Sequence, residues 1–220
     1  MSFDPVWERI FREREWGRYP QEEVVRFVAR NFYRAPERSK VSMLEIGCGP
    51  GSGASWFIAR EGFRLIGIDA SPTAIARARR RFDEEGLPGE FVEGAVDALP
   101  FPDASFDAVL DVVCLACNSE QETRAIVGEV RRVLKSGALH FSLTPASGCW
   151  GDGPGERIDA TTLRDVGEGP FADLGKTRFA TRESLAELYR EFRELALERV
   201  TRSAENGARD ITHWIVTCRK

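Results

Sequence analysis

The chain has 220 residues and a mass of 24.6 kDa, and 31 Lys and Arg against 35 Asp and Glu leave it at −4. That length suggests one domain, at most two small ones, able to bury roughly 70% of its extended-chain surface. The acidic balance argues against a dedicated nucleic-acid binder, the 42% of hydrophobic residues against a disordered chain, and the lack of an apolar run of about 18 residues against a membrane-spanning helix.

In chain order, residues 4–34 read as helical. Trp7, Ile10, Phe11 and Arg14 share one face, a turn follows at 16–20, and Val24, Val25, Phe27, Val28 and Phe32 recur at helical spacing. Val41 to Ile46 is a short strand, Ser52 to Glu61 a helix stopped by Gly62, and Arg64 to Ile68 a second strand. Ser71 caps and Pro72 opens a helix that ends at Gly86. Glu90 to Glu93 is an edge-like strand, Phe106 to Cys114 an apolar strand, Glu120 to Leu134 a helix and Ala138 to Leu143 a fifth strand. Residues 144–180 are Gly-rich and read as one long irregular segment, which in a globular domain is usually functional or mobile. A helix starts near Thr181. Leu195 to Thr201 and Ile211 to Cys218 form a hairpin joined through Ser203 to Gly207.

Strands alternating with helices predict an α/β fold. The expected form is a doubly wound, seven-stranded, mostly parallel sheet closed by a C-terminal antiparallel hairpin. The N-terminus shows neither a basic n-region nor an apolar h-region. With five cysteines, an odd number, reduced thiols in a cytoplasm are the simplest expectation. Cys114 and Cys117 have C-x-x-C spacing, but no second pair or suitably spaced histidine completes a zinc site. They follow an apolar strand, which favours packed side chains over redox chemistry.

The strongest local signal is the glycine turn Gly47-Cys-Gly49-Pro-Gly51 between a strand and a helix, where open parallel sheets bind ligands. Asp69, about 20 residues on, stands where a carboxylate grips ribose hydroxyls. Gly49 to Ala54 even satisfies G-x-G-x-x-A. Yet Glu45, ending the first strand, would repel a pyrophosphate, and no Walker lysine follows. A ribose-bearing ligand with an amine or sulfonium suits Glu45 and Asp69 better.

These residues resemble the class I S-adenosylmethionine-dependent methyltransferases. The resemblance rests on Leu44-Glu-Ile-Gly-Cys-Gly-Pro-Gly51, Gly67-Ile-Asp-Ala-Ser71, Gly94-Ala-Val-Asp-Ala-Leu-Pro-Phe-Pro-Asp-Ala-Ser-Phe-Asp107 and Val130-Arg-Arg-Val-Leu-Lys-Ser-Gly137. It implies S-adenosyl-L-methionine as cofactor, with Gly47, Gly49 and Gly51 under its methionine and ribose. Glu45 would face its amino group, Asp69 its ribose hydroxyls and Ala70 its adenine. One departure stands out. Where such families commonly carry an Asp holding the adenine amine, this chain has Ala95, so Asp97 or the N–H of Val96 would serve instead. Leu115 would lie near the methyl donor. The aromatic and basic N-terminal segment predicts a lid, with Arg18 or Tyr19 near the cofactor's carboxylate. The whole chain then reads as one methyltransferase domain: an N-terminal helical cap (1–40), a cofactor-binding core (41–143), a substrate-side insertion (144–180) and a C-terminal helix and hairpin (181–220).

Methyl transfer from a sulfonium is an in-line displacement, and a base is needed only if the acceptor must lose a proton. His140 and His213 read as structural, Asp111 and Asn118 flank the acceptor side of the fourth strand, and none is singled out as catalytic. Asp111 to Cys114 lacks the Asn-Pro-Pro-Tyr of adenine- or glutamine-methylating enzymes and the Pro-Cys of cytosine-carbon enzymes, and no carboxylate cluster for a metal is visible. A small-molecule acceptor is the expectation. Trp150 and Phe171 would line its pocket, with Arg157 or Arg164 available to an anion. The basic run Arg77 to Arg81 reads as a solvated helix face. The competing readings are a nicotinamide-dependent oxidoreductase on the same glycine turn and a non-catalytic cofactor-binding protein.

Overall fold

The computed structural model describes residues 4–220. The chain begins with α1 (Val6–Glu13), α2 (Glu22–Phe32), β1 (Ser42–Ile46), α3 (Ala54–Arg60), β2 (Arg64–Asp69), α4 (Pro72–Glu85) and β3 (Glu90–Glu93). It continues with β4 (Phe106–Val112), α5 (Glu120–Val133), β5 (Leu134–Pro145), β6 (Glu156–Arg157), β7 (Thr162–Arg164), β8 (Lys176–Arg178), α6 (Arg182–Leu188), β9 (Arg193–Ala204) and β10 (Arg209–Arg219). All five residues of β1 are buried, as a central parallel strand between two helical layers requires. The main sheet has seven strands in the order β3-β2-β1-β4-β5-β10-β9. The first five run parallel; β10 is antiparallel to β5, and β9 to β10. The winding reverses between β1 and β4, which opens a crevice beyond their carboxyl ends.

Alternation along β1 feeds two cores. Leu44 and Ile46 join Val109, Ile126, Val130 and Tyr189 on one face. Met43 joins Leu110 and Phe141 with Phe27 of α2, Ile58 of α3 and Ile75 of α4 on the other. Helix ends follow local chemistry. Ser71 accepts the N–H of Ala74 at 3.1 Å with Pro72 behind it, and Gly86 closes α4 in the left-handed region. Ser119 and Glu122 form a capping box on α5, Thr181 and Ser184 one on α6. No helix among the described residues is long and apolar enough to cross a membrane.

The structure departs from the sequence reading in four places. The strand expected over 138–143 runs from Leu134 to Pro145, because β4 pairs with its start, Phe106 opposite Leu134, and β10 with its end, His213 opposite Pro145. The hairpin strands are also longer, and a 3-10 turn over Glu205–Gly207 joins them. Residues 144–180 are not irregular throughout. They fold a second antiparallel sheet, β6-β7-β8, over a small core of Cys149, Leu163, Val166, Phe171 and Phe179. The run Arg77 to Arg81 is not simply solvated. Arg77 donates to the carbonyls of Arg14 (2.9 Å) and Arg12 (3.3 Å) at the end of α1, and Arg79 to that of Phe91 (2.6 Å).

Glu8 of α1 completes that attachment by accepting from Ser71 Oγ (2.5 Å) and Thr73 Oγ1 (2.6 Å) at the start of α4. The N-terminal helix is thereby pinned over the crevice. At the far side, β9 forms the outer edge of the sheet with no buried side chain, and carries Arg193, Glu194, Glu198, Arg199 and Arg202.

Candidate functional site

β1 delivers Glu45 and then turns sharply through Gly47 and Gly49, both at positive φ (62° and 52°). A side chain at Gly47 would overlap Cβ and Sγ of Cys114, and one at Gly49 would come within 3.3 Å of the Phe11 ring. Backbone is thus left bare between the end of β4 and the N-terminal helix. β2 delivers Asp69. Its Oδ2 accepts the N–H of Gly49 at 2.9 Å and its Oδ1 that of Ser71 at 2.9 Å, so one carboxylate fixes both loops. Burial raises its pKa. Burial also pushes the Glu45 carboxyl up to about 8, against a bond donated by the Ser55 hydroxyl.

Above these groups lies a cavity of about 350 Å³. Its floor includes Glu45, Gly47, Gly49, Asp69 and Ala70, with Ala95 and Val96 beyond β3. The end of β4 adds Val112, Val113, Cys114, Cys117 and Asn118. The roof comes from both ends of the sequence: Asp4, Trp7, Phe11, Trp16 and Tyr19 from the N-terminal segment, Pro170, Phe171 and Leu174 from the insertion.

Several expected residues lie outside this wall. Gly51 faces Ala78 and Phe91. Leu115 is buried in the core, its N–H donating to Asp111 Oδ1 at 2.9 Å. Arg18 is not part of the wall: its carbonyl accepts the N–H of Gly53 at 3.2 Å and its charge bears on Arg81. Asp97 is not part of the wall either. Arg157 donates to the Ala160 carbonyl (3.1 Å), Arg164 faces Glu156 (3.9 Å), and Trp150 lies under Arg209 (5.9 Å). The insertion therefore enters through apolar side chains, not through its arginines. Asp4, Gln21, Pro170 and Leu174 were not singled out from the sequence, where nothing local marks them.

The candidate bases also sit elsewhere. His140 is buried between the Val109 carbonyl (3.0 Å) and Tyr189 Oη (3.2 Å), and burial holds its pKa down to about 4, so the ring is neutral. Asp111 accepts from Ser142 Oγ at 2.5 Å and its pKa is pushed up to about 6 by burial. Behind it the Arg178 guanidinium is buried with Nε and Nη2 unpartnered. His213 packs against the Phe171 ring at 5.9 Å. Cys114 caps and Cys117 ends a 3-10 turn over Leu115–Cys117, and burial raises both thiols well above their usual range.

Residues 43–137 match the model of a family described as Methyltransferase domain. Over those residues the chain is similar to a methyltransferase domain. A fatty-acid O-methyltransferase of Mycolicibacterium smegmatis is 42% identical over 107 residues, covering 47% of this chain and 36% of that protein. A demethylmenaquinone methyltransferase of Thermus thermophilus is 34% identical over 104 residues, covering 47% of this chain and 46% of that protein. The chain thus spans less than half the length of either. A solved SAM-dependent methyltransferase of Methanosarcina mazei superposes with a TM-score of 0.66 at 22% identity, over 81% of this chain and 92% of that one, and shows the same fold.

The wall of the methyltransferase domain fits S-adenosylmethionine, a cation carrying a diol and a flat base. Two buried carboxylates stand at the strand ends beside the apolar strip Ala70, Ala95 and Val96. No lysine or arginine lines the cavity among the described residues, so a nicotinamide cofactor's pyrophosphate would find no counter-charge.

Glu45 gives a pH test. Its folded pKa of about 8 exceeds its ordinary 4.5, so the stability that its protonated form contributes is complete below 4.5 and lost as pH rises through 8. Between pH 6.5 and 8, above the ranges of His140 and Asp111, the melting temperature should fall, and Glu45→Gln should flatten that fall. Equal slopes in both proteins, measured by thermal denaturation, would refute the assignment.

Proposed function

We propose that the chain methylates a small-molecule acceptor in the roofed cavity, using S-adenosylmethionine. The observation that carries this reading is the enclosure of about 350 Å³ at the winding reversal, walled by the family's glycine turn and two buried carboxylates. The cofactor supplies a methyl group already activated on a sulfonium. Glu45 faces its amino group, Asp69 its ribose hydroxyls, and Ala70 with the Val96 backbone its adenine. Tyr19, in the roof, is the candidate partner for its carboxylate. The chain's contribution is alignment and exclusion of water, and effective molarities in well-oriented reactions are worth about 7–11 kcal/mol. His140, His213 and Asp111 lie outside the wall, so none of them is placed to act as base. A small acceptor is supported by relatives named for a fatty acid and a demethylated quinone. Five unpaired cysteines support a reducing, cytoplasmic setting.

Calorimetric titration with S-adenosylhomocysteine and with NAD tests the cofactor. Binding of the first and not of the second is expected, and the reverse overturns the reading. Transfer of label from methyl-labelled cofactor into a metabolite extract then separates an enzyme from a non-catalytic binder.

A further inference from the structure

We propose that the acceptor is a cationic amine, received by the aromatic roof with Asp4 as its counter-ion. This rests on the methyltransferase reading of the same cavity. With Glu45 and Asp69 given to the cofactor, Asp4 is the remaining acidic side chain among the described lining residues, and no lysine or arginine stands with it. Its Oδ1 accepts the N–H of Val6 at 3.1 Å, and its Oδ2 lies over Gly175 of the insertion, where a Cβ would come within 2.7 Å of it. The carboxylate therefore sits where the two halves of the roof meet.

Beside it Trp7, Phe11 and Trp16 form a triangle of rings with centroids 5.6–5.8 Å apart, all three lining the cavity. Trp16 is 40% exposed, an uncovered indole at the rim of a site. Ring faces attract organic cations, and a carboxylate next to them adds full charge complementarity. An anionic acceptor meets the opposite. The arginines expected to receive it, Arg157 and Arg164, are engaged outside the wall. This sets the chain apart from the relative named for a fatty acid, whose acceptor is a carboxylic acid.

The chemistry balances as N-methylation. The ammonium gives one proton to the Asp4 carboxylate, which passes it to solvent. The freed nitrogen pair forms the new carbon–nitrogen bond, and the electrons of the broken carbon–sulfur bond stay on sulfur. The positive charge thereby moves from sulfur to nitrogen, beneath the rings and Asp4.

The test reads binding as well as turnover. With the protein saturated by S-adenosylhomocysteine, benzyltrimethylammonium and phenylacetate are titrated separately against tryptophan fluorescence. The cation should bind at least tenfold tighter. Asp4→Asn, which keeps the bond to Val6, should cut cation affinity about tenfold and leave S-adenosylhomocysteine affinity within twofold, and Trp7→Leu should likewise weaken the cation. Equal or tighter binding of phenylacetate, binding of neither probe, or an Asp4→Asn protein that holds the cation as well as wild type would each overturn the proposal. Failure of S-adenosylhomocysteine to bind would instead overturn the methyltransferase reading beneath it. Primary amines should then show methyl transfer where the matching carboxylic acids do not.

Discussion

Asp69→Ala should weaken S-adenosylhomocysteine binding about 100-fold and lower stability by about 2–4 kcal/mol, because one side chain does three jobs. It accepts the N–H of Gly49 and that of Ser71, both at 2.9 Å, inside the protein. Hydrogen bonds to charged groups are worth about 1.5–3 kcal/mol each, and leaving a buried donor unpaired costs about as much. The third job, the ribose contact proposed for it, would be lost with the other two. Asp69→Asn is the sharper control, since its NH2 group must face one of two N–H donors. Calorimetry and urea unfolding read the two effects. Unchanged affinity and midpoint in Asp69→Asn would remove Asp69 from both roles.

Gly47→Ala should cost about 3 kcal/mol or more, while Gly62→Ala should cost about 1–2 kcal/mol, the ordinary penalty of a left-handed backbone. Both glycines have positive φ, 62° and 83°. They differ in surroundings: a methyl at Gly62 meets nothing within 4 Å, whereas at Gly47 it overlaps Cβ and Sγ of Cys114. Cys114→Gly should therefore recover much of the loss at Gly47 and none at Gly62. Urea unfolding of the single and double variants decides this, and an additive double variant would show that overlap is not the cause.

The core was legible because its signals are local. Ser71-Pro72 and Gly86 bracket α4, and Glu90–Glu93 falls on β3. The turn from Glu45 to Gly51 and the Asp69 that follows it needed only a strand before and a helix after. What stayed hidden depends on partners distant in sequence. β5 grows to Pro145 only because β10 lies against it, and the strands of the insertion, two or three residues each, are too short to show a period. The site divides the same way. Glu45, Gly47, Gly49, Asp69, Ala70, Ala95 and Val96 reach the wall from strand ends. Arg157 and Arg164 carry suggestive charge in the right segment, but their own β-ladder and loop engage them first. Asp4 acquires meaning only when α1 is pinned on α4 through Glu8 and Arg77.

The outer strand β9 has a bearing on how copies of this chain meet. A twelve-residue strand paired on one side alone, by β10, is a template on whose outer side another molecule could lay a strand and begin a fibre. Arg193, Glu194, Glu198, Arg199 and Arg202 stud that margin. An incoming strand would have to strip water from several of these charges and hold each within a few ångströms of its own. The margin can therefore be long and open in a crowded cell without becoming an invitation to aggregate.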